Sequence, residues 1–245
     1  MAAIAQSPDS AGSENDPSGT WAWEQDFGDG PVQQILKLNA NAKNRLFGTY
    51  IGKSGPHRIS NGRLENGKFS FELELEYEGK PVHVACTGQA QGDELKAKCD
   101  ITADGETNTH EIVAKRATRP VDVAGKWNVR VEAPDKVYEA VLDITAKKGK
   151  LSGTYVSEEA GQFELEDLKL EDNILSFSLS MDVEGNPLAL QFKGKPRGNK
   201  MDGTVTYTYQ GETGEVPLSA TREPRAKKQG ESARPRLQRA EAVIE

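Results

Sequence analysis

The sequence predicts an all-β fold built twice: two tandem small antiparallel up-and-down β-barrels of about eight strands each. Three observations carry that expectation. Gly19-Thr20-Trp21 returns 106 residues later as Gly125-Lys126-Trp127, and each triplet opens a segment that closes on Ala-x-Arg, first Ala114-Lys115-Arg116 and then Ala220-Thr221-Arg222. Between these anchors apolar and polar residues alternate with the period of two expected of half-buried strands. Two-residue turn signals, such as Asn66-Gly67 and Gly92-Asp93, punctuate both segments.

At 245 residues the period divides the chain into two domains of ordinary size. Residues 1–18 read as a disordered N-terminal segment, 19–117 as the first repeat, 118–124 as a short linker containing Pro120, 125–223 as the second repeat, and 224–245 as a disordered or partly helical tail, with a short helix over 236–244. A net charge of −7 argues against nucleic acid as a partner, because phosphate contacts call for a basic face. Aromatic content of 7% and hydrophobic content of 36% are low for a tightly packed enzyme but ordinary for barrels with every second residue in water. No apolar run approaches the roughly 18 residues of a spanning helix, so no membrane insertion is expected; the chain is expected to be a monomer. Ala3-Ile4-Ala5 before Gln6 has the small-x-small form of a signal cleavage site without the basic and apolar regions that precede one. It predicts an exported protein whose leader is absent from this chain; the alternative is an ordinary Ala/Ser-rich start.

In chain order, Trp21 and Trp23 begin a first strand, answered by Trp127, Val129 and Val131. Val32 to Leu38 form a second, answered by Tyr138 to Ile144. Leu46-Phe47-Gly48-Thr49-Tyr50 is echoed as Leu151-Ser152-Gly153-Thr154-Tyr155, and a glycine at the same place in both predicts a bulge or bend. Gly55 to Arg58 reads as a variable loop leading to a strand that ends at Leu64. After the Asn66-Gly67 turn, Phe71-Glu72-Leu73-Glu74-Leu75-Glu76-Tyr77 alternates strictly, and its copy Phe177 to Val183 keeps the apolar set while serines stand at two of the glutamate positions and Asp182 at the third. Glu72, Glu74 and Glu76 are therefore read as a solvated face; catalytic carboxylates converge across a cleft rather than stand in a row. Val82, Val84 and Cys86 then face inward on one strand, and Leu95, Ala97, Cys99 and Ile101 on the next.

If Gly92 and Asp93 form the hairpin loop, counting outward places Cys86 opposite Cys99, on a non-hydrogen-bonded pair with Cα atoms about 4.5 Å apart. The second repeat has Phe192 and Val205 there. A structural disulfide is predicted, worth roughly 3 kcal/mol by loop closure; the alternative is two buried thiols. With one cysteine pair and no third ligand at suitable spacing, no metal site is expected.

The first and last strands of a closed barrel are neighbours, so Trp21 can stack on Arg116, and Trp127 on Arg222, each pair closing one barrel. This pairing of Gly-x-Trp with a distant arginine resembles the calycin barrels, lipocalins in particular. The fuller pattern of Gly-Thr-Trp, Leu-x-Leu, Leu-x-Gly-Thr, an Asn/Asp-Gly turn, Ser-Phe, Glu-Gly, Gly-Asp and Ala-x-Arg is similar, through nearly all of both repeats, to small Gly-x-Trp repeats of exported bacterial proteins. Those occur alone, in tandem or attached to hydrolases such as amidohydrolases. One departure is Ala97 where the second repeat has Gly203. The resemblance implies a lipocalin-like fold and supplies no catalytic residues.

His57 is expected in a loop, His83 pointing outward, and His110 near a barrel end where the second repeat has Val216. They share no face, and no nucleophile-elbow, zinc-protease or phosphate-loop motif accompanies them. The expectation is a non-enzymatic binding or interaction module without cofactor, for a small apolar or glycan-like ligand or a partner domain. A hydrolase, or an accessory to one, is the alternative. Eight strands enclose their own side chains or one small ligand, so any apolar cavity should open opposite the Trp/Arg end.

Overall fold

The structure, a computed structural model, describes residues 14–222 save 27, 29, 78 and 184. The expected leader stub at Ala3-Ile4-Ala5 and the expected helix over 236–244 lie outside the described residues. The first repeat comprises β1 (Gly19–Asp26), β2 (Pro31–Ala40), β3 (Leu46–Gly52), β4 (Gly55–Arg58), β5 (Ser60–Glu65), β6 (Lys68–Tyr77), β7 (Lys80–Gln91), β8 (Glu94–Ala103) and β9 (Glu106–Arg116). A single-turn helix, α1 (Pro120–Val123), lies in the linker. The second repeat comprises β10 (Gly125–Glu132), β11 (Val137–Lys147), β12 (Lys150–Ser157), β13 (Gly161–Glu164), β14 (Glu166–Glu171), β15 (Ile174–Val183), β16 (Asn186–Arg197), β17 (Lys200–Tyr209) and β18 (Glu212–Thr221). Each repeat is one antiparallel sheet, ordered β4-β3-β2-β1-β9-β8-β7-β6-β5 and β13-β12-β11-β10-β18-β17-β16-β15-β14. Among the described residues no helix is long and apolar enough to cross a membrane.

Each sheet thus has nine strands rather than about eight. The extra element is β4, which the sequence suggests as a loop because Gly55, Pro56 and His57 do not alternate. Its backbone pairs with β3 from Thr49↔Arg58 to Gly52↔Gly55. Strands β4 and β5 are two halves of one strand position, broken at Ile59, so eight positions surround the core. The sheet curls until its ends meet: Ile59 N–H donates to Gly48 O (3.2 Å) and Leu64 N–H to Asn44 O (2.8 Å), giving a nearly closed barrel. The second sheet repeats the first of these bonds, from Leu165 N–H to Gly153 O (3.0 Å).

The glycine shared by β3 and β12 serves this seam differently from the expected bulge. Pairing through Gly48 is continuous, and the register shift falls at 60–63, with its copy at 166–169. A Cβ on Gly48 would stand 2.2 Å from Lys37 O and 3.0 Å from the Leu38 side chain. Gly48→Ala is therefore expected to cost about 1–3 kcal/mol through overpacking. A lower urea midpoint for unfolding would show it; an unchanged midpoint would mean that the neighbouring strand yields freely.

One end of each sheet is sealed by residues that precede the Gly-x-Trp triplet. Residues 14–18 are part of this seal, against the expectation that the fold begins at Gly19. Gly92 N–H donates to Glu14 O, Trp21 Nε1–H to Pro17 O (2.8 Å), and Ala40 N–H to Ser18 Oγ (2.9 Å). The second repeat does the same through its linker, where Trp127 Nε1–H donates to Val123 O (2.8 Å). Both indoles are fully buried.

The linker also fastens the repeats together. Asp122 of α1 accepts from Lys37 Nζ, from Thr20 Oγ1 (3.1 Å) and from the Arg119 backbone (3.0 Å). Asp93 bridges Arg116 of the first repeat and Lys195 of the second, at 2.9 and 2.7 Å. Burial alone would raise the Asp122 carboxyl, but Lys37 and Arg119 hold it below its ordinary value. A carboxylate depressed in the folded state stabilises it above the unfolded pKa, about 3.9, and loses that contribution as pH falls through the folded value. The contacts between repeats should therefore loosen below about pH 4. Small-angle scattering across an acid titration checks this, and Asp122→Asn should show the loosened state at neutral pH.

Candidate binding cavity

The structure brings the first repeat's anchor residues together at its sealed end. The Arg116 side chain is fully buried, with its guanidinium 4.1 Å from the Trp21 ring centroid. Nε donates to Asp93 Oδ1 (2.9 Å), one terminal nitrogen to Ser18 O (2.8 Å), and the other to Gly92 O (3.1 Å). One side chain thereby ties together the β7–β8 turn, the N-terminal approach and the indole. Burial, and then the nearby Arg197, push the Arg116 pKa down, while Asp93 opposes both. Arg222 lies 4.5 Å from the Trp127 ring and makes the same set of bonds to Asn199, Ala124 and Gly198.

Cys86 and Cys99 are joined, with Cα atoms 4.1 Å apart, on directly opposed positions of β7 and β8. The loop between them is the two-residue Gly92-Asp93 turn, with φ at Gly92 of 60°. Both sulfurs belong to the wall of a cavity.

That cavity occupies the first repeat on the side away from Trp21 and Arg116, and measures about 640 Å³. Leu73, Leu75, Val82, Val84, Ile101 and Ile112 form one wall with the disulfide. Trp23 and Tyr50, ring centroids 6.2 Å apart, stand on the opposite strands, with Gln34 beside them. Gln34 is only 1% exposed. Its Oε1 accepts from the Tyr50 hydroxyl (2.5 Å) and its Nε2 donates to Val32 O (2.9 Å). The carboxylates Asp26 and Glu76, with Lys53 and His110, complete the lining. Glu76 thus belongs to the cavity rim, whereas Glu74 pairs with His83 (2.7 Å) and Glu72 accepts from Asn61 (2.6 Å) on the outer surface.

The second repeat places larger side chains at the corresponding positions. Phe192 and Val205 replace the two cysteines, and the Phe192 ring stacks on Phe177 at 4.4 Å and meets Tyr155 at 5.8 Å. Tyr207 stands where the first repeat has Ile101, opposite Gly214, whose absent Cβ would lie 2.4 Å from the tyrosine ring. Across β2 and β3 the exchange runs the other way. Gln34 stands opposite Gly52, and a Cβ there would lie 2.3 Å from the Tyr50 hydroxyl and 2.5 Å from Gln34 Oε1. Continuing the β11–β12 register from Val141↔Val156 puts Ala140 and Ser157 at these places. Sequence reasoning missed Gln34, Tyr50 and Gly52. The signal for them is a glutamine at an inward position of one copy only, with its compensating glycine across the strand pair.

Among the described residues, the three histidines stand apart from one another. His57 lies in β4, not in a loop, half-buried, and Ser54 Oγ of the β3–β4 turn is 2.9 Å from its Nε2. No carboxylate orients that imidazole among the described residues, which an acyl-transfer triad would require. Continuing the β1–β9 register from Trp21↔Arg116 puts Glu111 opposite Asp26, so His110 lies past the end of β1, at the rim. Among the described residues no group of three His, Cys, Asp or Glu could hold a metal. The carboxylates between the repeats, Asp93 and Asp122, are both ion-paired with lysines.

No family model matches the chain, and no curated protein matches it. Similar solved structures include a Bacteroides fragilis protein provisionally described as an outer membrane protein, 14% identical, with a TM-score of 0.31 over 84% of this chain and 97% of that one. Another is a protein of unknown function from the DUF3598 family of Nostoc punctiforme, 14% identical, with a TM-score of 0.29 and the same coverage. Likenesses of this size bear on neither fold nor function.

Proposed function

We propose that the chain is a non-enzymatic binding protein in which the first repeat, a small lipocalin-like barrel, takes one small apolar ligand. The second repeat is the same scaffold with its interior filled, and it supports the first through their joined sealed ends. The observation that carries this reading is the cavity of about 640 Å³ in one copy, at the place where the other copy holds Phe192 and Tyr207. Its size falls in the range of small-molecule sites, and its walls are predominantly aliphatic and aromatic with few polar groups, the usual balance of such sites. That lining favours an apolar ligand over a glycan, which needs many hydrogen-bonding partners. The Cys86–Cys99 bond fits an oxidising compartment and supports export.

Titration with N-phenyl-1-naphthylamine, a neutral probe that fluoresces in apolar surroundings, tests the reading. One probe per chain should bind, with a dissociation constant of roughly 1–100 μM for a ligand of its size. A linear, unsaturable response would contradict it.

A further inference from the structure

We infer that this cavity selects an uncharged apolar ligand bearing one group that both donates and accepts a hydrogen bond, a hydroxyl or a primary amide, read by Gln34 and Tyr50. The inference rests on the binding reading above and names the ligand class.

Gln34 is the polar side chain buried deepest in the wall, and its hydrogen bonds are only partly used. Oε1 is engaged by Tyr50 and one Nε2 hydrogen by Val32 O, which leaves the second N–H and the lone pairs of the Tyr50 oxygen uncommitted among the described residues. A buried donor and acceptor side by side call for partners of opposite kind, because unsatisfied polar groups in an apolar wall are costly. A single hydroxyl supplies both. Burial pushes the Tyr50 phenol up, so it stays protonated and keeps donating to Gln34.

The charged groups of the lining argue against an anionic head. Asp26 accepts from Gly28 and Gly30 N–H where β1 ends, Glu76 lies near the end of β6, Lys53 in the β3–β4 turn, and His110 past the end of β1. All four stand toward the mouth. A carboxylate at Gln34 would therefore be desolvated without a counter-charge. Reversed, it would meet a rim carrying two carboxylates as well as Lys53.

The duplication supports the assignment. Gly52 lets Gln34 and the Tyr50 hydroxyl meet, and the filled copy has lost both features together, as Ala140 and Ser157. Glutamine and glycine form a matched pair confined to the copy that has a cavity.

The experiment is displacement of bound N-phenyl-1-naphthylamine from the full chain by octan-1-ol, octanoate and octane at pH 8. Octanol should displace the probe at a concentration at least about tenfold below octanoate. Tyr50→Phe, and separately Gln34→Ala with Gly52→Ser, which reproduces the second repeat's pair, should lower the octanol-to-octane preference about tenfold, the ratio being read within each variant. Equal displacement by octanoate, or an unchanged octanol-to-octane ratio in both variants, would overturn the inference and leave the binding reading standing. Failure of the wild-type chain to bind the probe or any of the three ligands would overturn both.

Discussion

Replacing Arg116 by methionine is expected to destabilise the first repeat by about 3–5 kcal/mol, the usual cost of removing one member of a buried charged network. The methionine would keep most of the apolar volume beneath the guanidinium. It would lose charge-assisted bonds to Asp93, Ser18 and Gly92 and the stacking on Trp21. Each such bond contributes about 1.5–3 kcal/mol, and a shielded cation over an indole up to about 2 kcal/mol; these contributions overlap rather than add. Arg116→Lys should rescue little, because one ammonium cannot reproduce a planar fork aimed at three acceptors. Amide hydrogen exchange can follow the repeats separately. Protection in β1, β8 and β9 should fall while β10 and β16–β18 change far less. Uniform loss across both sheets, or none, would mean that Arg116 does not close the first sheet.

The second large effect concerns ligand affinity. Cys86→Phe with Cys99→Val transplants the pair found in the second repeat into the cavity wall, and probe affinity should fall at least about a hundredfold, since a ring cannot share the space with a ligand. The variant loses roughly 3 kcal/mol of loop-closure stabilisation. Burying an aromatic ring offsets about 1.5–3 kcal/mol of that, so the chain should remain folded. Cys86→Ala with Cys99→Ala separates the two effects. It removes the bond and leaves the space open, and binding should stay within about threefold of wild type. Equal losses in both variants would mean that the disulfide, not the cavity volume, governs binding.

Much of the fold is legible in the sequence because antiparallel hairpins obey counting. With Gly92-Asp93 fixed as the loop, the opposition of Cys86 and Cys99 follows by arithmetic, and strict alternation from Phe71 to Tyr77 sets which face is inward. Strand β4 escapes the same reasoning, since its pairing with β3 depends on backbone position around a closed sheet and its residues carry no periodicity. Residues 14–18 belong to the polar stretch that the sequence suggests as a disordered N-terminal segment, yet they supply carbonyls to Trp21 and Arg116, a role for which backbone groups need no sequence signature. The cavity is harder still. Parity says that Leu73, Val84 and Ile101 face inward, but whether inward residues meet or leave a gap depends on volumes summed across strands far apart in the chain. Comparing the copies position by position comes nearest to that sum: Phe192 against Cys86, Tyr207 against Ile101, Ala140 against Gln34.

The three tryptophans of the chain report on ligand entry in a single spectrum. Trp23 lines the cavity, whereas the Trp21 and Trp127 indoles are sealed at the closed ends, donating to Pro17 and Val123. Nuclear magnetic resonance of the indole N–H groups during titration with N-phenyl-1-naphthylamine should show the Trp23 resonance moving saturably, with Trp21 and Trp127 nearly still. A Trp23 resonance unmoved by saturating probe, or one matched by an equal shift at Trp127, would contradict a ligand cavity confined to the first repeat.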